Sequence, residues 1–151
     1  MAVLLLAFVH RSCLTHWRSE LELWQYSVAV NDQDAIAWCN LGLALDQRGE
    51  DKTKALKGFQ KSVELRPDDA NCRSNVAATL SELGHLEEAL DQYQQVVVLD
   101  PEHFDSWYSY GRLLHQTKRF KAALGVSFCF FLFRGFGFFP LMVTTRESNC
   151  A

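Results

Sequence analysis

The feature that most constrains this chain is a pattern of small and aromatic residues that returns every 34 residues. Ala55 recurs as Ala89 and again as Ala123, and Pro67 recurs as Pro101. A unit of this length cannot bury its own apolar face, so each unit must stack on its neighbours. The sequence therefore predicts a linear array of units and not a globule around one central core.

Within each unit the apolar and small residues have helical spacing. The first stripe, at i, i+3, i+4 and i+7, consists of Trp38, Leu41, Gly42 and Leu45. Small residues recur on the stripe and would let a second helix approach closely; they are Gly42, Ala77 and Gly111, matched by Ala55, Ala89 and Ala123. Gly49 and Gly84 stand where a helix ends and favour a left-handed backbone. Each unit is therefore predicted to be a helix pair.

The whole motif resembles the tetratricopeptide repeat family, whose pattern is W-x-x-L-G-x-x-Y, then A-x-x-x-F, then a proline. The residues that carry the resemblance include Trp38, Leu41, Gly42, Ala55, Phe59, Pro67, Ala89, Tyr93, Pro101, Trp107 and Gly111. The resemblance implies an all-α fold, a right-handed superhelix of antiparallel helix pairs that forms a short α-solenoid. It covers residues 35–125, with repeats at about 35–69, 70–103 and 104–125, the last of them truncated.

Two segments precede the array. Residues 19–33 resemble the second helix of a partial repeat: Ser19 and Glu22 have the spacing of a capping box, and Asp32 stands where the proline would be. The predicted buried stripe of this helix consists of Leu21, Trp24, Val28 and Val30. Residues 1–18 are apolar at the start but lack the basic residue that precedes a signal-peptide core. A helix packed on the array is favoured there over a secretion signal.

No motif for catalysis, for a cofactor or for a metal is recognisable. The patterns G-x-S-x-G, H-E-x-x-H and G-x-x-x-x-G-K are all absent. The five cysteines form no C-x-x-C pair, which argues against zinc and favours reduced thiols in the cytoplasm, with the nucleus as the alternative. A net charge of -3 without a cluster of Lys and Arg argues against nucleic acid as a partner. We therefore predict a protein that is not an enzyme and has no catalytic residues, cofactor or metal.

The resemblance also implies a binding surface, because the first helix of each pair lines a concave groove in this family. The candidate peptide-binding residues of the groove are Asn40, Leu43, Asn71, Asn75, Tyr108 and Arg112. Asn40 and Asn75 share one repeat position, taken in the third repeat by Ser109. An amide both donates and accepts hydrogen bonds, so a row of them could pair with a peptide backbone of any sequence. The alternative is that asparagine is simply common at this position.

The C-terminal tail of Hsp70 or Hsp90 is disfavoured as the ligand. Family members that clamp such a tail use Lys and Asn on one repeat, Asn on the next, and Lys and Arg on the third. The corresponding residues here are Cys39, Leu43, Asn75, Asp105 and Ser109. One of these five residues matches, and Asp105 carries the wrong charge.

The predicted function is accordingly a non-catalytic scaffold that binds a peptide segment of a partner protein in its concave groove. The chain is expected to be a fragment or isoform of a longer repeat protein. Two alternatives stay open. The repeats could dock the substrate of an enzyme, such as a glycosyltransferase, whose catalytic domain is absent here, or they could belong to a membrane-anchored adaptor.

Residues 126–151 depart from the repeat and hold seven of the eleven phenylalanines, all between Phe128 and Phe139. Three interpretations compete. A membrane anchor over 126–143 has sufficient length, but Arg134 lies near its centre. A continued last helix would cap the array. A retained intron is favoured, because a common splice-donor string encodes Val-Ser, the residues found where the repeat breaks down.

Overall fold

The computed structural model describes residues 20–49 and 51–127, and within these ranges every regular element is a helix. Six helices are bounded: α1 (Glu20–Val30), α2 (Ala35–Gln47), α3 (Lys52–Leu65), α4 (Ala70–Glu82), α5 (Leu86–Leu99) and α6 (Phe104–Gln116). A seventh, α7, begins at residue 120 and is helical through 127, the last residue described. The predicted all-α fold is confirmed. The predictions for residues 1–18, for Ser19 and for residues 128–151 lie outside the described residues.

The helices pack as pairs that stack along the chain. The most extensive contacts join α2 with α3 and α4 with α5, which are the helix pairs of the first two repeats. Smaller contacts join α1 with α2, α3 with α4 and α5 with α6, and α4 also contacts α6. The first helices α2, α4 and α6 therefore form one layer, and the second helices form another behind it. Each unit buries its stripe against its neighbours, as a repeat array requires.

Side-chain caps begin the first helix of each repeat. The Asp34 carboxylate accepts a hydrogen bond from the Ile36 amide at 2.9 Å, and the Asp69 carboxylate accepts one from the Cys72 amide at 3.0 Å. His103 occupies the same place before α6, where its Nδ1 accepts from the Ser106 amide at 3.3 Å. A cap of this kind contributes about 1 kcal/mol to helix stability. The caps thus define where each repeat starts.

The helices α2 and α3 cross at close range through glycine. A Cβ placed on Gly42 would lie 2.6 Å from two ring carbons of Phe59 and 3.1 Å from the Ala55 carbonyl oxygen. The predicted need for a small residue is confirmed here. At Gly111 the prediction is wrong, because the nearest atom to such a Cβ is Val126 Cγ1 at 3.9 Å, an ordinary contact. The pair formed by α6 and α7 is therefore less closely packed at this point.

One side-chain donor ties each first helix to the turn before it. The donor belongs to the residue at the tryptophan position, and the acceptor is the backbone carbonyl six residues earlier. The pairs are Trp38 with Asp32 at 2.9 Å, Arg73 with Pro67 at 2.7 Å and Trp107 with Pro101 at 2.9 Å. Asp32 thus supplies the acceptor carbonyl that a proline supplies in the other two repeats. In the second repeat the donor is the Arg73 guanidinium and not an indole.

The predicted stripe of α1 is correct except at its end. Leu21 is buried, and Trp24 and Val28 pack partly buried against the core. Val30, in contrast, is 68% exposed. Nine residues of helix rotate a side chain by about 180° relative to the starting position. Val30 therefore faces away from Leu21, and its assignment to the buried stripe is wrong.

The turn after each first helix adopts a left-handed backbone, as predicted. The φ angle is +66° at Gly49 and +87° at Gly84. The corresponding residue of the third repeat is Lys118, with a φ of 59°. Lysine is strained in this region because its Cβ approaches the backbone, whereas glycine has no such penalty.

Replacing Lys118 with glycine is therefore expected to raise the free energy of unfolding by about 0.5 to 1 kcal/mol. Urea denaturation followed by circular dichroism measures the change. The matched control is Gly84→Ala, which puts a side chain into the same conformation and should lower stability by a similar amount. A Lys118→Gly protein no more stable than the wild type would contradict the assignment of strain to this turn.

Among the residues described, no helix combines the length and the apolar character needed to cross a bilayer. The proposed anchor over 126–143 falls outside these residues except for its first two positions. Val126, the first of them, packs partly buried against the core.

Candidate functional site

The first helices α2, α4 and α6 lie side by side along the array. Between α4 and α6, the hydroxyls of Ser74 and Ser106 are hydrogen-bonded at 2.9 Å. The helices α2 and α4 are held together through α3, which packs on both of them. We call the solvent-accessible side chains of this layer the groove face.

The structure places all six predicted peptide-binding residues on these three helices. Asn71, Tyr108 and Arg112 are exposed, whereas Asn40, Leu43 and Asn75 are half-buried. Tyr108 is the most accessible of them, at 74% exposure. Leu43 also packs against the core, so only part of its side chain faces solvent. All six thus have surface available on the groove face.

Some of the polar groups on this face already have partners inside the protein. His103 Nδ1 accepts the Ser106 amide, so the ring proton is on Nε2, which donates to Asn71 Oδ1 at 3.2 Å. Asn75 is half-buried, and its side-chain amide offers two N–H donors and a carbonyl to a ligand.

The third position of the predicted amide row is used differently. Burial raises the pKa of Tyr93, and a hydrogen bond with Ser109 and the positive charge of Arg112 partly oppose this effect. Ser109 of α6 is half-buried and has a hydroxyl in place of the amide. The amides at this repeat position are those of Asn40 and Asn75.

One residue of the face was missed from the sequence. His115 lines a cavity of about 470 Å³ together with Tyr108, Arg112 and two residues of α7, Val126 and Ser127. The ring of His115 meets that of Phe120 edge to face, with centroids 5.3 Å apart. The missed signal is the helical spacing of positions 108, 112 and 115, which puts them on one stripe.

The two described cysteines are free thiols: Cys39 on α2 is half-buried, and Cys72 on α4 is buried. Within the two described ranges, no group of His, Cys, Asp or Glu has an arrangement suited to a metal ion.

Comparisons with known proteins point to one family. Profiles described as tetratricopeptide repeat match residues 35–69, 59–91 and 77–126. The chain is 33% identical over 86 residues to human protein O-mannosyl-transferase TMTC3, an alignment that covers 57% of this chain and 9% of that protein. It is 35% identical over 79 residues to mouse superkiller complex protein 3, covering 52% of this chain and 5% of that protein. The chain thus spans less than a tenth of the length of these relatives.

The fold itself is also found in a solved structure. The crystal structure of MamA aligns with a TM-score of 0.71 at 16% sequence identity, over 76% of this chain and 67% of MamA. At this level of identity the similarity concerns the fold alone. It confirms the predicted superhelix of helix pairs.

Proposed function

This chain belongs to the tetratricopeptide repeat family over residues 35–126, and on that basis we propose that it is a non-catalytic scaffold whose groove face binds an extended peptide segment of a partner protein. Arrays of such repeats serve as protein-interaction surfaces. The observation that supports groove binding best is that all six candidate residues lie on one layer of three adjacent helices and retain accessible surface.

The chemistry of the face suits a peptide held by its backbone and anchored at one end. The amides of Asn40 and Asn75 can exchange hydrogen bonds with peptide groups whatever the peptide sequence. Tyr108 and Arg112 lie one helical turn apart beside the cavity that His115 lines. Tyrosine and arginine are enriched among the residues that dominate binding energy at interfaces. We therefore place the anchor of the peptide at the third repeat.

A variant with Asn75→Ala, Tyr108→Ala and Arg112→Ala is expected to bind its partner at least about tenfold more weakly, since each truncation of a dominant residue costs more than about 1 kcal/mol. Affinity purification of the full chain with quantitative mass spectrometry identifies partners. Titration with synthetic segments of the partner then measures the affinity.

The matched control carries Lys57→Ala and Gln60→Ala, two exposed positions on α3 in the second-helix layer. It should recover the same partners as the wild type. Circular dichroism confirms that both variants stay folded. Equal recovery of partners by the groove variant and the wild type would rule out the groove face as the binding surface.

A second candidate function is docking of a protein substrate for a glycosyltransferase. It is favoured by the similarity to O-mannosyl-transferases: the human protein is 33% identical and the Drosophila melanogaster protein 35% identical over 86 residues each. Because each alignment covers 9% of the relative, a catalytic domain would lie elsewhere. A transcript of the same gene that continues into a transferase domain would support this function, whereas one that holds only further repeats would support the scaffold.

The cytoplasm is the proposed location, and Hsp70 and Hsp90 tails stay disfavoured because Asp105 is exposed and carries the wrong charge for a carboxylate ligand. The membrane-anchored adaptor is tested by carbonate extraction of the expressed full chain, which releases a protein that is not integrated in the membrane.

A further inference from the structure

The third repeat lacks the aromatic ring that is buried in each of the first two. In the first repeat the Phe59 ring lies against Gly42, where a Cβ would be 2.6 Å from two of the ring carbons. Tyr93 takes the same repeat position 34 residues later. Phe59 is 1% exposed and Tyr93 is 4% exposed. After a further 34 residues this position holds Ser127, so the third helix pair has a small hydroxyl side chain in place of a ring.

The cavity of the third repeat lies where this ring is missing. Its volume is about 470 Å³, and both Ser127 and Gly111 line it. These two residues correspond to Phe59 and Gly42 of the first repeat. The described atom nearest to a Cβ placed on Gly111 is Val126 Cγ1, at 3.9 Å. The space that an aromatic ring fills in the first repeat is therefore open in the third.

The lining of the cavity suits an aromatic ligand. Trp107, Tyr108 and His115 contribute rings, against which a further ring packs in offset or edge-to-face geometry. The Arg112 guanidinium can lie over the face of such a ring. Val126 supplies an aliphatic contact from α7. The chemistry of the lining and the repeat position therefore indicate the same ligand, an aromatic side chain.

The chain itself carries aromatic side chains directly after the cavity. Ser127, which lines it, is followed by Phe128, Phe130 and Phe131. Each residue of extended chain spans at most about 3.6 Å, so the backbone of these residues starts within about 15 Å of Ser127. The segment 128–131 holds no charged residue, so it can enter an apolar site without the cost of desolvating a charge. A ligand tethered this closely has a high effective concentration at the cavity.

We propose that the segment 128–131 of this chain folds back and places one of its phenylalanine rings in the cavity of the third repeat. This ring stands in for those of Phe59 and Tyr93, and it covers Tyr108 and His115. A partner peptide anchored at the cavity must then displace the segment, which makes the segment an internal competitor. This last consequence rests on the proposed function, whereas the placement of the ring does not.

The test is disulfide trapping in the full chain, because Cys129 lies within the segment. His115→Cys introduces a second cysteine at the cavity. The matched control is Gln116→Cys, an exposed position one residue further along α6 and at nearly the same distance along the chain from Cys129. In a thiol–disulfide buffer we expect position 115 to be linked to Cys129 at least about fivefold faster than position 116, since docking concentrates Cys129 at the cavity. Tyr108→Cys, another exposed lining position, serves if His115→Cys does not fold and should give the same bond.

Peptide mapping identifies the bond that forms. Trypsin releases positions 115 and 116 in residues 113–118 and Cys129 in residues 122–134. Equal rates at positions 115 and 116, or a faster bond to Cys150 than to Cys129, would overturn the proposal. So would a bond between two chains, seen as a dimer on a non-reducing gel, because the cavity would then be filled by a second copy. The measurement needs no partner, so it is independent of whether the groove face binds a peptide.

Two sets of substitutions in the His115→Cys chain show whether the rings are responsible. The first set is Phe128→Ala, Phe130→Ala and Phe131→Ala, and the matched set is Phe136→Ala, Phe138→Ala and Phe139→Ala. The first set should lower the rate of trapping to that of the Gln116→Cys control, because the tether remains but the ligand is lost. The matched set should leave the rate unchanged. Trapping that is as fast with the first set as without it would overturn the proposal.

Discussion

Replacement of Arg73 with methionine is expected to lower the free energy of unfolding by about 3 kcal/mol, measured by urea denaturation. Arg73 is 9% exposed, and its guanidinium donates to the Pro67 carbonyl at 2.7 Å and to Gln92 and Gln95 of α5 at 3.1 and 2.6 Å. Methionine keeps much of the aliphatic volume but has no donor, so the carbonyl and both amide oxygens lose a charged partner. Hydrogen bonds to charged groups are the stronger class.

The control for this variant is Arg73→Trp. Trp38 and Trp107 occupy the same repeat position, and each donates its indole N–H to the equivalent carbonyl at 2.9 Å. Tryptophan at position 73 should therefore restore the hydrogen bond to the Pro67 carbonyl and recover about 1 kcal/mol of the stability lost with methionine. It would also remove the buried Nε of Arg73, which has no partner among the described residues. If the methionine variant were as stable as the tryptophan variant, the hydrogen bond to the Pro67 carbonyl would contribute nothing to the free energy of unfolding.

The second large effect is expected from Gly42→Ala, which should cost about 2 kcal/mol. The added Cβ would stand 2.6 Å from the Phe59 ring, and that ring is 1% exposed and enclosed on all sides. The Ala55 carbonyl oxygen, 3.1 Å from the same point, is backbone and cannot rotate away. The two helices must therefore move apart, which loosens the core between them. The midpoint of urea denaturation reports the loss.

The same substitution at Gly111 is the matched control. Its Cβ would make one ordinary contact, 3.9 Å from Val126. Alanine is a better helix former than glycine by about 1 kcal/mol, so Gly111→Ala should be neutral or stabilising. Similar destabilisation at both glycines would show that the cost comes from something other than the close approach of α3.

The repeat interval made much of this fold predictable. The left-handed backbone predicted at Gly49 and Gly84 is observed. Asp32 stands at the position of the proline, as predicted, and its carbonyl accepts a hydrogen bond from Trp38, just as the Pro101 carbonyl accepts one from Trp107. These features depend on residues close in sequence. Gly111 is different, because the need for a small residue there depends on how closely α7 approaches. The position of α7 depends on the packing of the whole third helix pair, so it cannot be predicted from the residue type at one motif position.

The groove face was predictable in position but not in detail. Helical spacing placed Asn75 and Tyr108 on the correct helices. That Asn71 accepts from His103, and that the hydroxyls of Ser74 and Ser106 are hydrogen-bonded, depends on side chains brought together by stacking. Each of these pairs joins residues 32 positions apart. A search for polar partners at an interval near the repeat length would have found both.

The ties between each first helix and the preceding turn have a mechanical consequence. Each tie spans the joint at which one unit is followed by the next, so it helps to set the angle between successive units. An indole donates one hydrogen bond, so Trp38 and Trp107 each bind the preceding turn alone. The Arg73 guanidinium binds the preceding turn and also Gln92 and Gln95 of α5. The joint between the first and second repeats should therefore resist bending more than the other two.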